Sequence, residues 1–186
     1  MGMRIIGGEY RSRVLQMPKG AEVRPTQDRV REAIFNILGD IAGKSVLDLY
    51  AGSGAFGLEA ISRGAAHATF VDNNARCLTA IEQNIETLAI PEPKYEIVRS
   101  NVSIVLPRFD RDGEKFDIIF MDPPYHKELA KNCLINIDYY DILSGFGLII
   151  VEHFKKDSLE ADLNTLEKIT ERKYGDTSVT MYRKIE

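Results

Sequence analysis

Asp122-Pro123-Pro124-Tyr125 carries the least ordinary chemistry in the chain. Proline lacks an N–H and fixes φ, so two in succession give a rigid, extended turn. The Asp122 carboxylate and the Pro123 carbonyl can then point the same way, and neither proline can donate from its backbone. The surface offers acceptors only, which suits the exocyclic amine of a nucleobase. Two acceptors take its two N–H groups and aim the nitrogen lone pair at an electrophile. Tyr125 supplies a flat face for the base to stack on. Taken alone, the same four residues could be a rigid exit from a strand or a polyproline ligand for a partner.

A second constellation lies upstream, in Asp48-Leu-Tyr-Ala-Gly-Ser-Gly-Ala-Phe-Gly57. Gly52, Gly54 and Gly57 make a G-x-G-x-x-G spacing between the apolar run Ser45-Val46-Leu47 and the helical segment Leu58-Glu59-Ala60-Ile61. Asp72 stands twenty positions beyond Gly52, closing a second apolar run, Ala68-Thr69-Phe70-Val71. Its carboxylate can accept both hydroxyl protons of a ribose. The glycines alone would be an ordinary tight turn. With the strand before, the helix after and the acid at this distance, they point to a nucleoside ligand.

The elements that position these residues alternate. Strands are expected at 45–50, 67–71, 95–98, 116–121 and 146–151. Helices are expected from Gly54 to Arg63, over 75–88 with Leu78, Ile81, Ile85 and Leu88 inward, as a short turn ending at Leu106, and between strands four and five to about Ser144. Phe109 to Lys115 reads as a charged loop and Asp157 to Leu163 as a helix. Two tail strands, 165–169 and 178–185, flank Tyr174-Gly175-Asp176. The pattern predicts an α/β fold: a doubly wound, mostly parallel seven-stranded sheet with an antiparallel C-terminal hairpin. Ahead of it, residues 3–17 read as a β-hairpin turning at Gly7-Gly8. A helix follows from Pro25 to about Leu38, with Thr26 as its N-cap. The expected division is a basic extension over 1–24 and the main domain over 25–186. Ligands of open parallel sheets sit at the carboxyl ends of strands, where Asp48, Gly52, Asp72, Asn101 and Asp122 all fall, on four successive strands.

Composition narrows the class. Hydrophobic residues at 44% and charged residues at 28% are those of a soluble globular chain. No apolar run approaches the ~18 residues of a membrane helix. Cys77 and Cys133 belong to no C-x-x-C pair, and with His67, His126 and His153 they show no metal-ligand spacing, so reduced thiols, a cytoplasmic location and no metal are expected. The net charge of −4 is uneven: residues 1–31 carry seven basic groups against three acids, net +4, leaving −8 for the remainder. The basic segment is either a footprint for a polyanion or a solvated surface.

The two constellations together resemble the S-adenosylmethionine-dependent amino-methyltransferases. Arg4-Ile5-Ile6-Gly7-Gly8, Arg24-Pro25-Thr26, Val30-Arg31-Glu32-Ala33 and Phe35-Asn36 are more specific: they resemble the bacterial 16S ribosomal RNA guanine-N2 methyltransferases of the RsmD family. The similarity spans nearly the whole chain. It implies a Rossmann-like class I methyltransferase that transfers the methyl directly and releases S-adenosylhomocysteine. Asp48, Tyr50, Ala51, Gly52, Ser53 and Gly54 would hold the methionine part of the cofactor, and the helix start at Thr26 would approach the same end. Asp72 would take the ribose, Asn73 would lie beside the adenine, and Asn101 with Val102 would meet the adenine amine. Asn101 stands where relatives usually carry Asp; its side-chain oxygen still accepts, without the charge. Asp122 and the Pro123 carbonyl would orient the guanine amine, with Pro124 stiffening the turn and Tyr125 stacking on the ring. Arg4, Arg11, Arg13, Arg24 and Arg29 would hold RNA phosphates. The implied partner is 16S rRNA or a small ribosomal subunit particle, met by a monomer. Three rivals share parts of the pattern: a DNA adenine-N6 methyltransferase using the same acceptor turn, an NAD-dependent oxidoreductase that leaves the turn without a task, and a non-catalytic RNA-binding module.

Overall fold

A computed structural model describes residues 2–20, 25–125 and 128–185, with backbone alone for 25–27. Seven strands, β1 (Ser45–Leu49), β2 (His67–Asp72), β3 (Tyr95–Arg99), β4 (Phe116–Met121), β5 (Leu143–Phe154), β6 (Leu166–Tyr174) and β7 (Thr177–Lys184), form one sheet in the order β3-β2-β1-β4-β5-β7-β6. The first five are parallel, and β7 runs antiparallel to both its neighbours. Among the described residues, five α-helices accompany it: α1 (Pro25–Leu38), α2 (Ala55–Ser62), α3 (Ala75–Leu88), α4 (Val102–Asp112) and α5 (Leu129–Tyr139).

Alternation along the strands divides the core between two faces. Val46, Phe70, Ile118, Phe120 and Ile150 pack against α1, α2 and α3. Leu47, Leu49, Val71, Ile119, Met121 and Val151 pack against α4 and α5. Strand order reverses between β1 and β4, and this is where a doubly wound sheet opens a crevice for ligand.

Five expectations need correction. The helix expected to reach about Ser144 ends at Tyr139, and β5 begins at Leu143. The helix expected over 157–163 is irregular chain. There Ser158 Oγ accepts the Glu160 N–H at 3.2 Å, a local bond that competes with a helical turn. Asp138, on α5, captures the N–H groups of Asn164 and Thr165, each at 2.8 Å. Of the charged loop expected over Phe109 to Lys115, residues 109–112 are instead the last turn of α4. Val102, Val105, Leu106 and Phe109 make one buried face across Pro107. The N-terminal ribbon is a single antiparallel bridge, Arg4 to Val14, and its chain reverses later than Gly7-Gly8, with Ser12 N donating to the Ile5 carbonyl. Met3, Ile5 and Leu15 are buried in the same cluster as α1–α3, so this segment shares the main core. Finally, α1 begins at Pro25, placing Thr26 inside its first turn rather than at its cap.

Candidate active site

The glycine turn leaves β1 through three left-handed residues, Tyr50 (φ 58°), Gly52 (φ 58°) and Gly54 (φ 77°). Gly52 tolerates this geometry because it has no Cβ, whereas Tyr50 must be held there by its surroundings. Its ring packs against the buried cluster that includes Cys133. Gly57, in α2, is a packing requirement: a Cβ there would come within 2.3 Å of the Phe70 ring. The missing side chain lets α2 lie directly on β2.

Asp48 is a strut beneath this turn. It lies within β1, between Phe70 and Phe120 in register, 2% exposed, and its Oδ2 accepts the Gly57 N–H at 2.9 Å. Burial pushes its carboxyl up to about 8. Asp72, at the end of β2, stands at the surface of the crevice. Its Oδ2 accepts the Gly52 N–H at 3.0 Å and its Oδ1 accepts the Asn74 N–H at 2.8 Å. Each oxygen keeps a lone pair for a further donor.

Two adjoining cavities of about 410 Å³ and about 680 Å³ share Tyr50, Gly52, Asn74, Cys77, Asp122 and Glu152 and form one cleft. The first adds Ala51, Ser53, Met3, Met17 and Arg31. The second adds Asp72, Asn73, Pro123, Pro124 and Tyr125. Both volumes fall in the range of small-molecule sites. A cavity of about 900 Å³ lies beneath residues 157–163, but no residue of the glycine or acceptor turns lines it. The cleft at the strand ends is the better candidate because the acids converge there.

The expected residues divide accordingly. Tyr50, Ala51, Gly52, Ser53, Asp72, Asn73, Asp122, Pro123, Pro124 and Tyr125 are brought together. Asp48, Gly54 and Val102 lie outside the cleft lining. Val102 is buried against the second face of the sheet. Asn101 is exposed, its Oδ1 accepting from Asn73 Nδ2 at 2.6 Å, so these two amides act as a pair. Thr26 is placed by its backbone alone, and Arg24 and His126 lie outside the described residues. Arg4, Arg11 and Arg29 are exposed. Arg13 is exposed too, with its guanidinium donating to the Thr87 carbonyl at 2.9 Å.

Two residues outside the expected set tie the site together. Glu152 lines both cavities while only 7% exposed. Its Oε1 accepts from the Tyr125 hydroxyl at 3.3 Å, and Thr177 Oγ1 holds the same hydroxyl at 2.9 Å. Burial, with the Glu152 and Asp122 charges adding, pushes Tyr125 up to about 12. The available signal was its position: Glu152 follows the apolar run of β5 just as Asp122 follows that of β4. The other is Asn84, which bonds both the N–H and the carbonyl of Gln16 and also donates to the Ser53 carbonyl at 3.0 Å, tying the N-terminal segment to the glycine turn. No sequence signal marked it.

The profile of the family described as "Conserved hypothetical protein 95" matches residues 3–183. This chain belongs to that family, the RsmD family. Among curated RsmD relatives, the ribosomal RNA small subunit methyltransferase D of Escherichia coli is 33% identical over 98% of this chain and 90% of its own. The solved structure of the E. coli protein yhhF superposes with a TM-score of 0.82 at 33% identity, covering 98% of this chain and 97% of that one. A Thermus thermophilus 16S rRNA N2 G1207 methyltransferase, solved with AdoMet and guanosine, shares the fold. It has a TM-score of 0.72 at 21% identity, over 99% of this chain and 50% of that one. The RsmD fold seen here is therefore that of the Rossmann-like class I methyltransferases, as the resemblance implied, and its sheet is doubly wound, as the alternation of elements predicted.

Proposed function

We propose that the protein transfers a methyl group from S-adenosylmethionine to the exocyclic N2 amine of a guanine in 16S ribosomal RNA. One observation carries the reading: Asp72 and Asp122 open onto the same cleft. Asp72, with each oxygen already fixed by a backbone N–H, is set to receive ribose hydroxyls. The cradle fits the cofactor, because Ala51 to Ser53 line the cleft next to Asp72 and the turn at Gly52 keeps bulk away from it. When bound, the cofactor supplies an electrophilic methyl on its sulfonium.

The chain's own groups do the rest. Asp122 and the Pro123 carbonyl accept from the guanine amine and align its lone pair. The Asp122 charge stabilises the positive charge that develops on nitrogen. Tyr125 stacks on the ring, its hydroxyl tethered to Glu152 and Thr177. No covalent enzyme intermediate is used. Burial holds Cys133 up at about 12, and burial with the Asp72 charge holds Cys77 at about 11, so both remain thiols at neutral pH. The names of the curated RsmD relatives support an rRNA substrate, and the guanosine complex of the T. thermophilus fold neighbour supports the N2 target. The guanine must be unpaired or flipped to enter. Arg4, Arg11 and Arg13 belong to the segment that also gives Met3, Met17 and Lys19 to the cleft wall, and with Arg29 they meet RNA phosphates. The protein acts as a monomer in the cytoplasm, on RNA or a small-subunit particle.

The acceptor turn would serve an adenine N6 amine equally well, so a DNA adenine methyltransferase is the second reading. Methyl transfer from labelled cofactor to small-subunit rRNA and to duplex DNA separates them. Label in RNA alone is expected, and label in DNA alone overturns the proposal.

A further inference from the structure

We infer that Glu152 reads the Watson–Crick edge of the target base and selects guanine over adenine; this rests on the guanine-N2 reading above. Met121 and Val151 pair in register on β4 and β5. Asp122 directly follows β4 and Glu152 is the next residue within β5, so the two come from neighbouring strands, whose backbones run about 4.8 Å apart. Both line both halves of the cleft. Glu152 is nearly buried and is hydrogen bonded to the hydroxyl of Tyr125, the ring proposed to carry the base. The carboxylate is thus fixed relative to both the amine acceptor and the stacking surface.

The two candidate bases differ at the atom beside the amine. Guanine carries an N1–H next to its N2 amine, and adenine carries a bare N1 lone pair next to its N6 amine. An ionised carboxylate only accepts. Beside Asp122 it completes guanine's row of donors and opposes adenine's lone pair. A buried group left facing the wrong partner discriminates strongly, by up to about 10⁴-fold or more in sites built to hydrogen bond their substrate. Glu152 has no such use in the runner-up reading.

2-Aminopurine keeps the 2-amine but lacks the N1 hydrogen and the 6-oxygen, so the change in its discrimination on altering Glu152 reports the N1 contact. Small-subunit RNA is ligated with guanosine or 2-aminopurine riboside at the methylated position and assembled into particles where the particle is required. The kcat/KM for each base is then measured with the wild-type protein and with Glu152→Gln. The glutamine is isosteric, keeps an oxygen for Tyr125, and can donate to a bare N1. Wild type should prefer guanine by about 100-fold or more, and in the variant that ratio should collapse toward parity. A wild-type ratio near one, or a full ratio retained in Glu152→Gln, overturns the inference while leaving guanine methylation standing. Failure of the wild type to methylate guanine N2 overturns both.

Discussion

Glu59, with no exposed surface, lies 3.5 Å from the guanidinium of Arg31, itself 2% exposed. Around this buried pair the N-terminal segment is fastened to the sheet. Glu59 also takes the N–H groups of Ile6 and Gly7, each at 2.8 Å, and the Arg63 Nε at 2.8 Å. Arg31 donates in turn to the Arg4 carbonyl and to Asp28, and its side chain reaches the cleft wall. The segment that borders the cleft is therefore held by a charge network, besides the apolar packing of Met3, Ile5 and Leu15.

Glu59→Ala should cost about 3–5 kcal/mol, because it leaves two N–H groups without their acceptor and the buried Arg31 with Asp28 as its remaining counter-charge. For a chain of this size that is a fall in Tm of roughly 6–20 °C, read by denaturant or thermal unfolding. A change below about 1 kcal/mol would mean that the network adds little beyond solvation.

Asp122→Ala should abolish methyl transfer while leaving S-adenosylhomocysteine affinity within a few-fold, because the proposed partner of Asp122 is the target amine. Titration calorimetry and a single-turnover assay separate the two effects. A normal single-turnover rate would remove Asp122 from the chemistry.

Asp48 gives a pH dependence. Its carboxyl is raised from 3.8 to about 8 by burial, against the pull of the Gly57 N–H and with the Asp72 charge adding. Between those values the folded chain keeps a proton that the unfolded chain has lost. This contribution to stability is whole below the lower value and is lost as pH climbs through the window. Asp48→Asn cannot ionise, and its oxygen can still accept from Gly57. The variant should therefore gain on the wild type as pH rises from about 5 to about 7.5, measured as unfolding free energy. A difference that does not change with pH would mean that the carboxyl is ionised in the folded chain.

Changing Arg11 and Arg13 together to Ala should weaken RNA binding and lower its salt slope by about one for each phosphate that is no longer neutralised. Filter binding at several salt concentrations gives the slope, and an unchanged slope would take these arginines out of the RNA footprint. Because Arg13 also donates to the Thr87 carbonyl, Arg11→Ala alone is the cleaner measure of the charge.

β1, β2 and β4 were legible because each is a short apolar run bounded by turn residues, whereas β5 runs from Leu143 to Phe154, past both ends of its apolar stretch. β4 and α3 match the expected limits to the residue. α4 ran longer than expected because Pro107 and the charges after Arg108 hid the spacing of Val102, Val105, Leu106 and Phe109. The 157–163 segment failed for the opposite reason: Leu159 and Leu163 have helical spacing, but Ser158 and Asp138 capture the backbone. The acids of the cleft were legible one strand at a time. Glu152 and Asn84 were not, because their roles come from neighbours 27 and 68 positions away in the chain.

The central claim is tested most directly by mapping modified bases in small-subunit rRNA by mass spectrometry, from cells with the protein and from cells without it. The account predicts one guanine carrying an N2-methyl group that is present with the protein and absent without it. Identical modification in the two RNAs, or a difference that falls on an adenine or on a guanine atom other than N2, would contradict it.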